Sequence, residues 1–197
     1  MRKLKLQIQT SVDGYIADEN GKTDWMIWNW SSNWNWDKSL QEYFIDFKHT
    51  VDTVLLSRKM GEEGFIDHWA RVAADKDSPQ AAFATTITNA HKIVFSHTIK
   101  KSHWANAEIA QGNFIDVINT LKQQAGNDLI VYGGATFVAS LIKAQLIDEF
   151  YLFVNPTVLG KGLSIFDAIE QRQQLKLIEA KAFDCGVLIV KYVLKNE

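Results

Sequence analysis

Three short apolar runs, DTVLLS (52–57), HKIVFS (91–96) and DLIVYGG (128–134), are shorter than helices, and stretches with helical spacing follow two of them. Strands without a polar alternation are buried on both faces, which is the habit of parallel sheets. Parallel neighbours need a long crossover, usually a helix, so the runs restrict the chain to an α/β architecture with helices on the faces of a largely parallel sheet.

The other segments complete that order. KLKLQIQTSVDG alternates Leu4, Leu6 and Ile8 with polar residues and stops at Asp13-Gly14, a first strand ended by a turn. Ser39 and Glu42 form a capping-box pattern ahead of Leu40, Phe44 and Phe47, which predicts a helix from about Ser39 to Lys48 with those three on the core. On that helix Glu42 and Asp46 point away from the apolar stripe, toward solvent. Residues 59–88 read as irregular or helical surface around Pro79.

NFIDVINTLKQQAG predicts a helix with Asn113 as N-cap and Gly126 as the C′ residue, and ATFVASLIKAQ another. DEFYLFV is a strand, and LKLIEAKAFDCGVLIVKYVLK is two strands around a turn at 184–186. The expectation is one three-layer α/β/α domain over residues 1–197, mostly parallel, with an antiparallel C-terminal edge.

Composition removes several function classes. The net charge of −2 offers no field for nucleic acid. The single cysteine, Cys185, reads as a buried, inert thiol in a strand. The N-terminal apolar run is too short for a signal peptide and no 18-residue apolar span occurs, so a cytoplasmic location without membrane partners is expected. The five histidines show no metal-ligand spacing, so no metal is expected.

Candidate chemistry lies at the ends of the apolar runs. In LIVYGGATFVASLI (129–142) two glycines separate a strand from a helix, where free N–H groups and close backbone approach suit a pyrophosphate or simply make a tight turn. LLSRKM (55–60) and VFSHTIKK (94–101) place hydroxyls and bases just past two more strands. In open α/β sheets ligands bind outside the carboxyl ends of the strands, so the three ends together would fit one phosphate-rich ligand.

Five of the seven tryptophans (Trp25, Trp28, Trp30, Trp34 and Trp36) lie within DWMIWNWSSNWNWD (24–37). The near-palindromic WNW-SSN-WNW, with indoles at i and i+2, predicts a hairpin with one aromatic face, either as a pocket wall or lid or packed on a second subunit.

QTSVDGYIAD…DW, VDTVLLSRKM, KIVFSHT, LIVYGGATFVASLI, LIDEFYLFVNPTVLGKGLSIF and FDCGVLIVKYVLK, in that order, resemble the reductase domain of bacterial riboflavin biosynthesis, the RibD C-terminal type, and its stand-alone relatives with the dihydrofolate reductase-like fold. The resemblance implies a sheet of about eight strands, NADPH bound across the strand ends, and a homodimer. It places Gly133, Gly134, Ala135 and Thr136 on a pyrophosphate loop whose Gly-Gly bond is often cis. It places Arg58 and Lys59 on the cofactor's phosphates, and Ser96, His97 and Thr98 on the adenosine 2′-phosphate.

Two positions depart from the family pattern: Ser57 stands where relatives usually carry glycine, and Met60 replaces a hydroxyl residue. Tyr43 occupies the position of the acid that pairs with pterin in dihydrofolate reductase, which argues against that activity. The function implied is an NADPH-dependent reduction of a flat pterin- or pyrimidine-like heterocycle, similar to 5-amino-6-(5-phosphoribosylamino)uracil reductase. The tryptophans would border the substrate, with the proton from water, Asp13, Tyr43 or Asp46. Asp13, in the S-x-D-G element, would orient substrate, relay that proton or cap a turn. The alternative is a nucleotide-binding or oligomeric module of the same fold without turnover.

Overall fold

The computed structural model describes residues 1–195. In chain order the elements are β1 (Leu4–Thr10), α1 (Lys38–His49), β2 (Val51–Ser57), α2 (Arg58–Glu62), α3 (Phe65–Ala74), α4 (Ala81–Asn89), β3 (His91–Phe95), β4 (Ala107–Ala110), α5 (Phe114–Gln123), β5 (Asp128–Tyr132), α6 (Ala135–Lys143), β6 (Glu149–Val154), β7 (Leu175–Ala182) and β8 (Leu188–Leu194). The eight strands are ordered β4-β3-β2-β5-β1-β6-β8-β7. β4, β3, β2 and β5 pair in parallel, as do β1 and β6, whereas β6–β8 and β8–β7 are antiparallel. The mostly parallel sheet with an antiparallel C-terminal edge is the expected one. Its short edge strand β4 lay outside the expectation, because AEIA carries too little pattern to mark a strand. Among the described residues no helix is long and apolar enough to cross a membrane.

The chain groups into two compact units, Met1–Leu4 with Gln41–Gly134, and Lys5–Leu40 with the described residues from Ala135 on. In the first unit the apolar runs are buried on both faces: Val54, Leu55, Leu56, Ile93, Val94, Leu129, Ile130 and Val131 are at most 1% exposed. Phe44 and Phe47 of α1 are buried, as their spacing predicts. Residues 59–88 are largely helical, and although most of them are exposed or half-buried, one face of the helices is not surface. They form α2, α3 and α4, and Phe65, Ile66, Trp69, Phe83, Ala84 and Ile87 enter the core. Trp69 meets Phe83 edge-on at 4.6 Å and Phe44 lies tilted against Phe83 at 4.7 Å, and the polar residues interleaved among them hide the periodicity from sequence.

Lys48 is fully buried in the same core, its ammonium 4.5 Å from the Tyr132 ring centroid, 4.7 Å from Phe44 and 5.0 Å from Phe47. The negative faces of the rings attract the cation. Asn113 caps α5 as expected, accepting from Ile115 N at 2.8 Å. Gly126 is not the C′ residue, since α5 is capped at Gln124. Its φ of +139° and the Asp52 carboxylate, 2.7 Å from where a Cβ would stand, make glycine necessary. That close approach lets Asp52 pair with Arg2 and accept from Asn127 N at 2.7 Å.

In the second unit the alternation of β1 does not produce a solvated face: Lys5, Gln7 and Gln9 are buried along with Leu4 and Leu6. On β6 the polar face is satisfied by Glu149, which accepts from Tyr151 Oη at 2.8 Å and pairs with Lys191 of β8 at 3.1 Å. The turn at 184–186 forms as expected, closed by Gly186 N donating to Phe183 O at 2.9 Å. Cys185 is half-buried in this turn rather than in a strand, and burial pushes its thiol pKa up, which keeps it unreactive.

The capping box is replaced by a stronger cap. Asp37, not Ser39, precedes α1 and accepts from Leu40 N at 3.1 Å, while Ser39 Oγ donates to Asp37 at 2.6 Å. Its second oxygen accepts from Cys185 N at 3.1 Å and so ties the β7–β8 turn to the start of α1. The Ser39 hydroxyl, with the Cys185 and Leu40 N–H groups, holds the Asp37 carboxyl well below the ordinary aspartate value of 3.8. A lowered folded pKa stabilises above the unfolded value and is lost as pH falls through the folded one. Asp37→Ala is expected to cost about 1–2 kcal/mol at neutral pH, the range of a lost N-cap, and the difference from wild type should shrink as urea melts move below about pH 4.

Candidate functional site

In the first unit the parallel register decides which loops meet. Ser57 stands opposite Phe95, and Leu56 opposite Tyr132, so β3, β2 and β5 end at one level on adjacent strands about 4.8 Å apart. Ser57–Lys59, Ser96–Thr98 and Gly133–Gly134 therefore leave the sheet side by side, which brings together three of the expected cofactor segments.

Their side chains divide by role. Ser57 Oγ accepts from Met60 N at 3.2 Å and caps α2, so the serine in place of glycine is used by the protein itself. Arg58 and Lys59 open α2, exposed, and pair at i+4 with Glu62 and with Glu63, the latter at 3.5 Å. Exposed pairs of this kind are worth about 0–1 kcal/mol, so they exchange readily for a better anion. Ser96 is buried, and its Oγ accepts from Thr98 N at 3.2 Å and Ile99 N at 2.9 Å to fold the turn that leaves His97 and Thr98 outward.

Lys100 and Lys101, the bases that close VFSHTIKK, are exposed on the same loop as His97, and so is His103, which sequence reasoning did not assign to this strand end. Trp104, which follows them, is buried against α2, where a Cβ on Gly61 would come within 3.1 Å of the indole. Glycine at 61 thus allows the loop after β3 to pack on α2. An isolated glycine in a five-residue helix gave no warning of this contact.

No peptide bond among the described residues is cis, so the Gly133–Gly134 bond is trans, contrary to the family expectation. Gly134 has a φ outside the left-handed region and open space where a Cβ would project. Neither backbone conformation nor packing demands glycine there. α6 begins immediately afterwards, with Ala135 half-buried and Thr136 exposed at its first turn. On α1, Tyr43 is half-buried and Asp46 exposed.

In the second unit Asp13 and the tryptophan segment stand on one loop, 155–160. The Asp13 carboxylate accepts from Ser11 Oγ at 2.7 Å, Leu159 N at 3.1 Å and Gly160 N at 2.7 Å. The Ser11 hydroxyl first, then the two N–H groups, lower its pKa, so the group is held ionised and works as a clasp between loops.

Asn155, fully buried, accepts from Ile27 N at 3.0 Å and donates to Gln9 Oε1 at 3.2 Å, while Gln9 donates to Trp28 O at 2.7 Å. These two amides were missed in the sequence, because a polar residue at a strand end ordinarily faces water.

The expected hairpin is absent: residues 24–37 are irregular. Gln9 and Asn155 take the backbone groups that a partner strand would pair, and Trp28 Nε1 donates within the segment to Ser31 O at 3.1 Å. Trp28, Trp34 and Trp36 are buried together, Trp28–Trp36 at 4.7 Å and Trp28–Trp34 at 5.6 Å, and Trp36 stacks on Phe153 of β6 at 5.6 Å. Trp25 is half-buried, and Trp30, with φ +69°, is exposed.

The sequence model of the RibD C-terminal domain matches residues 2–189. The chain belongs to the RibD C-terminal domain family. Within reach of that family it is 30% identical over 193 residues to the uncharacterized protein YyaP of Bacillus subtilis, covering 97% of this chain and 94% of YyaP. It is also 30% identical to the uncharacterized protein YwjB of the same organism, over 94% and 95% of the two chains.

Among solved structures, a putative riboflavin biosynthesis protein from Shewanella sp. PV-4 superposes over the whole of both chains with a TM-score of 0.70 and 25% identity. The diaminohydroxyphosphoribosylaminopyrimidine deaminase/5-amino-6-(5-phosphoribosylamino)uracil reductase of Thermotoga maritima superposes at 0.67 with 17% identity, over 98% of this chain and 57% of that one. These likenesses establish the dihydrofolate reductase-like fold of the family's reductases.

Asn155→Ala removes a buried side chain that serves three partners and leaves Ile27 N without its acceptor. It is expected to cost about 2–4 kcal/mol in urea denaturation and to shift tryptophan emission to the red, because the indoles lose their anchor before the sheet melts.

Proposed function

We propose that the protein is an NADPH-dependent reductase of a flat pyrimidine- or pterin-like heterocycle. The observation that carries the reading is the register that ends β3, β2 and β5 at one level and delivers Ser57–Lys59, Ser96–Thr98 and Gly133–Gly134 to the same edge. Gly134 supplies the open cradle for a pyrophosphate, and the first turn of α6, Ala135 and Thr136, supplies the free N–H groups. Arg58, Lys59, His97 and Thr98 supply the cationic and hydroxyl donors that a 2′-phosphate needs. The donor set fits a phosphorylated dinucleotide.

Bound NADPH supplies a hydride, and this chain's residues orient and dehydrate the acceptor. Trp30 and Trp25, the indoles that keep exposure, are the substrate-facing pair in this reading, and buried Trp28, Trp34 and Trp36 support them. Asp13 acts as a positioning residue that fixes loop 159–160, since a carboxylate held ionised by three hydrogen bonds is a poor proton donor. Tyr43, Asp46 or water then brings the proton.

Titrating NADPH should quench tryptophan emission saturably and at least tenfold more tightly than NADH. Gly134→Val should retain the wild-type melting temperature, because its side chain enters open space, yet lose at least tenfold in NADPH affinity. Oxidation of NADPH followed by absorbance over a panel of aminouracils, pterins and flavins then separates turnover from binding alone. Equal, weak affinity for both nucleotides, confirmed by calorimetry, would sink the reductase reading.

A further inference from the structure

Lys48, in the last turn of α1, is fully buried, and four aromatic rings lie around its ammonium. The Tyr132 centroid is 4.5 Å from Nζ, with Phe44 at 4.7 Å, Phe47 at 5.0 Å and Phe83 at 5.7 Å. Phe44 and Phe47 belong to the same helix as the lysine, so the contacts that join elements are those to Phe83 of α4 and Tyr132 of β5. Tyr132 is the nearest of the four.

Taking an ammonium out of water is costly even where partners receive it, and an uncharged side chain of similar length fills the same space without that cost. Stability alone therefore does not call for a charge at this position. What a charge adds is direction: a cation is attracted to the face of a ring and not to its edge, so the ammonium sets the plane of the ring beside it. Phe65 of α3 closes on the same ring at 5.2 Å, tilted by 37°.

Tyr132 is the last residue of β5, and Gly133 and Gly134 follow it. Glycines have no side chain to pack and few steric limits on their backbone, so they do not fix their own path. The last anchored residue before them does. We propose that Lys48 is a positioning residue for this loop: its ammonium holds the ring of Tyr132, and through Tyr132 it sets the direction in which Gly133 and Gly134 leave β5. This role rests on the reading of Gly133–Gly134 as the NADPH pyrophosphate loop, where direction decides how well the cofactor is held. α1 also carries Tyr43 and Asp46, so the same contact ties the helix of two candidate proton donors to the strand that leads to the cofactor.

Thermal melts and NADPH calorimetry of the full chain test the role. Lys48→Met should keep the wild-type melting temperature or exceed it, yet bind NADPH about tenfold more weakly, the size of one desolvated cation–ring contact. Lys48→Arg, which keeps a cation for the ring faces, should recover most of that loss. Tyr132→Phe should bind like wild type and Tyr132→Leu should lose about tenfold, and adding Lys48→Met to Tyr132→Leu should cost nothing more, because the lysine acts through the ring.

Wild-type affinity in a folded Lys48→Met, or in Tyr132→Leu, would overturn the role of Lys48 while leaving NADPH binding by the wild-type chain intact. A loss in Lys48→Met that comes with a lower melting temperature and is not recovered by arginine would reduce the lysine to core packing and overturn it too. Should Lys48→Met lose its cooperative melt, Tyr132→Phe against Tyr132→Leu decides, and equal affinities in those two sink the proposal. A wild-type chain that binds no NADPH removes the cofactor reading, and this role with it.

Discussion

In this sheet β2, β3 and β5 end at one level, and the function proposed for this protein depends on that register. Backbone groups in the interior of β2, β3 and β5 have partners only while the register holds, so the first free N–H groups and side chains appear at one level on all three. The phosphate-suited segments are distant in the chain, yet adjacency follows from strand order alone. The aromatic packing of α1, α3 and α4 around Lys48 and Tyr132 reinforces the last residue before Gly133.

The second unit solves a different problem. Its β1 carries lysine and glutamine on a face that the fold buries, and those groups require partners. Gln9 and Asn155 satisfy theirs with the backbone of Ile27 and Trp28, and so a polar requirement of the strands becomes the anchor of the tryptophan segment. Three of the indoles complete the cover, Trp28 set edge-on to Trp36 and tilted on Trp34, and Trp36 stacked on Phe153. Most of the tryptophan that draws the eye in the sequence is therefore spent on packing, and Trp30 is the one left exposed.

Much was legible where a single physical signal dominated. Continuous apolar runs announced the parallel strands, Asn113 announced its helix, and the Asp184-Cys185-Gly186 turn announced the C-terminal pair. Residues 59–88 were opaque because their core positions are separated by charged residues on short helices. The capping box misled because Asp37, two residues ahead of the pattern, is a better acceptor than Ser39. The hairpin expectation failed for a related reason: spacing i, i+2 reports where side chains can point, and buried amides from two other strands took the backbone groups the hairpin needed.

The sequence by itself determined the class of fold, the direction of the strands and the chemical character of the three strand ends, because burial and backbone geometry act over a few residues. Tertiary structure alone decided which of those residues are spent on the protein and which face outward: Ser57 and Ser96 close turns, Asp13 clasps a loop, Trp28, Trp34 and Trp36 fill a core, and Arg58, Lys59, His97 and Trp30 are left exposed. A side chain's role depends on which distant donors and rings reach it first. Those neighbours lie up to about 150 positions away along the chain, as Leu159 and Gly160 do from Asp13, and no local pattern encodes them.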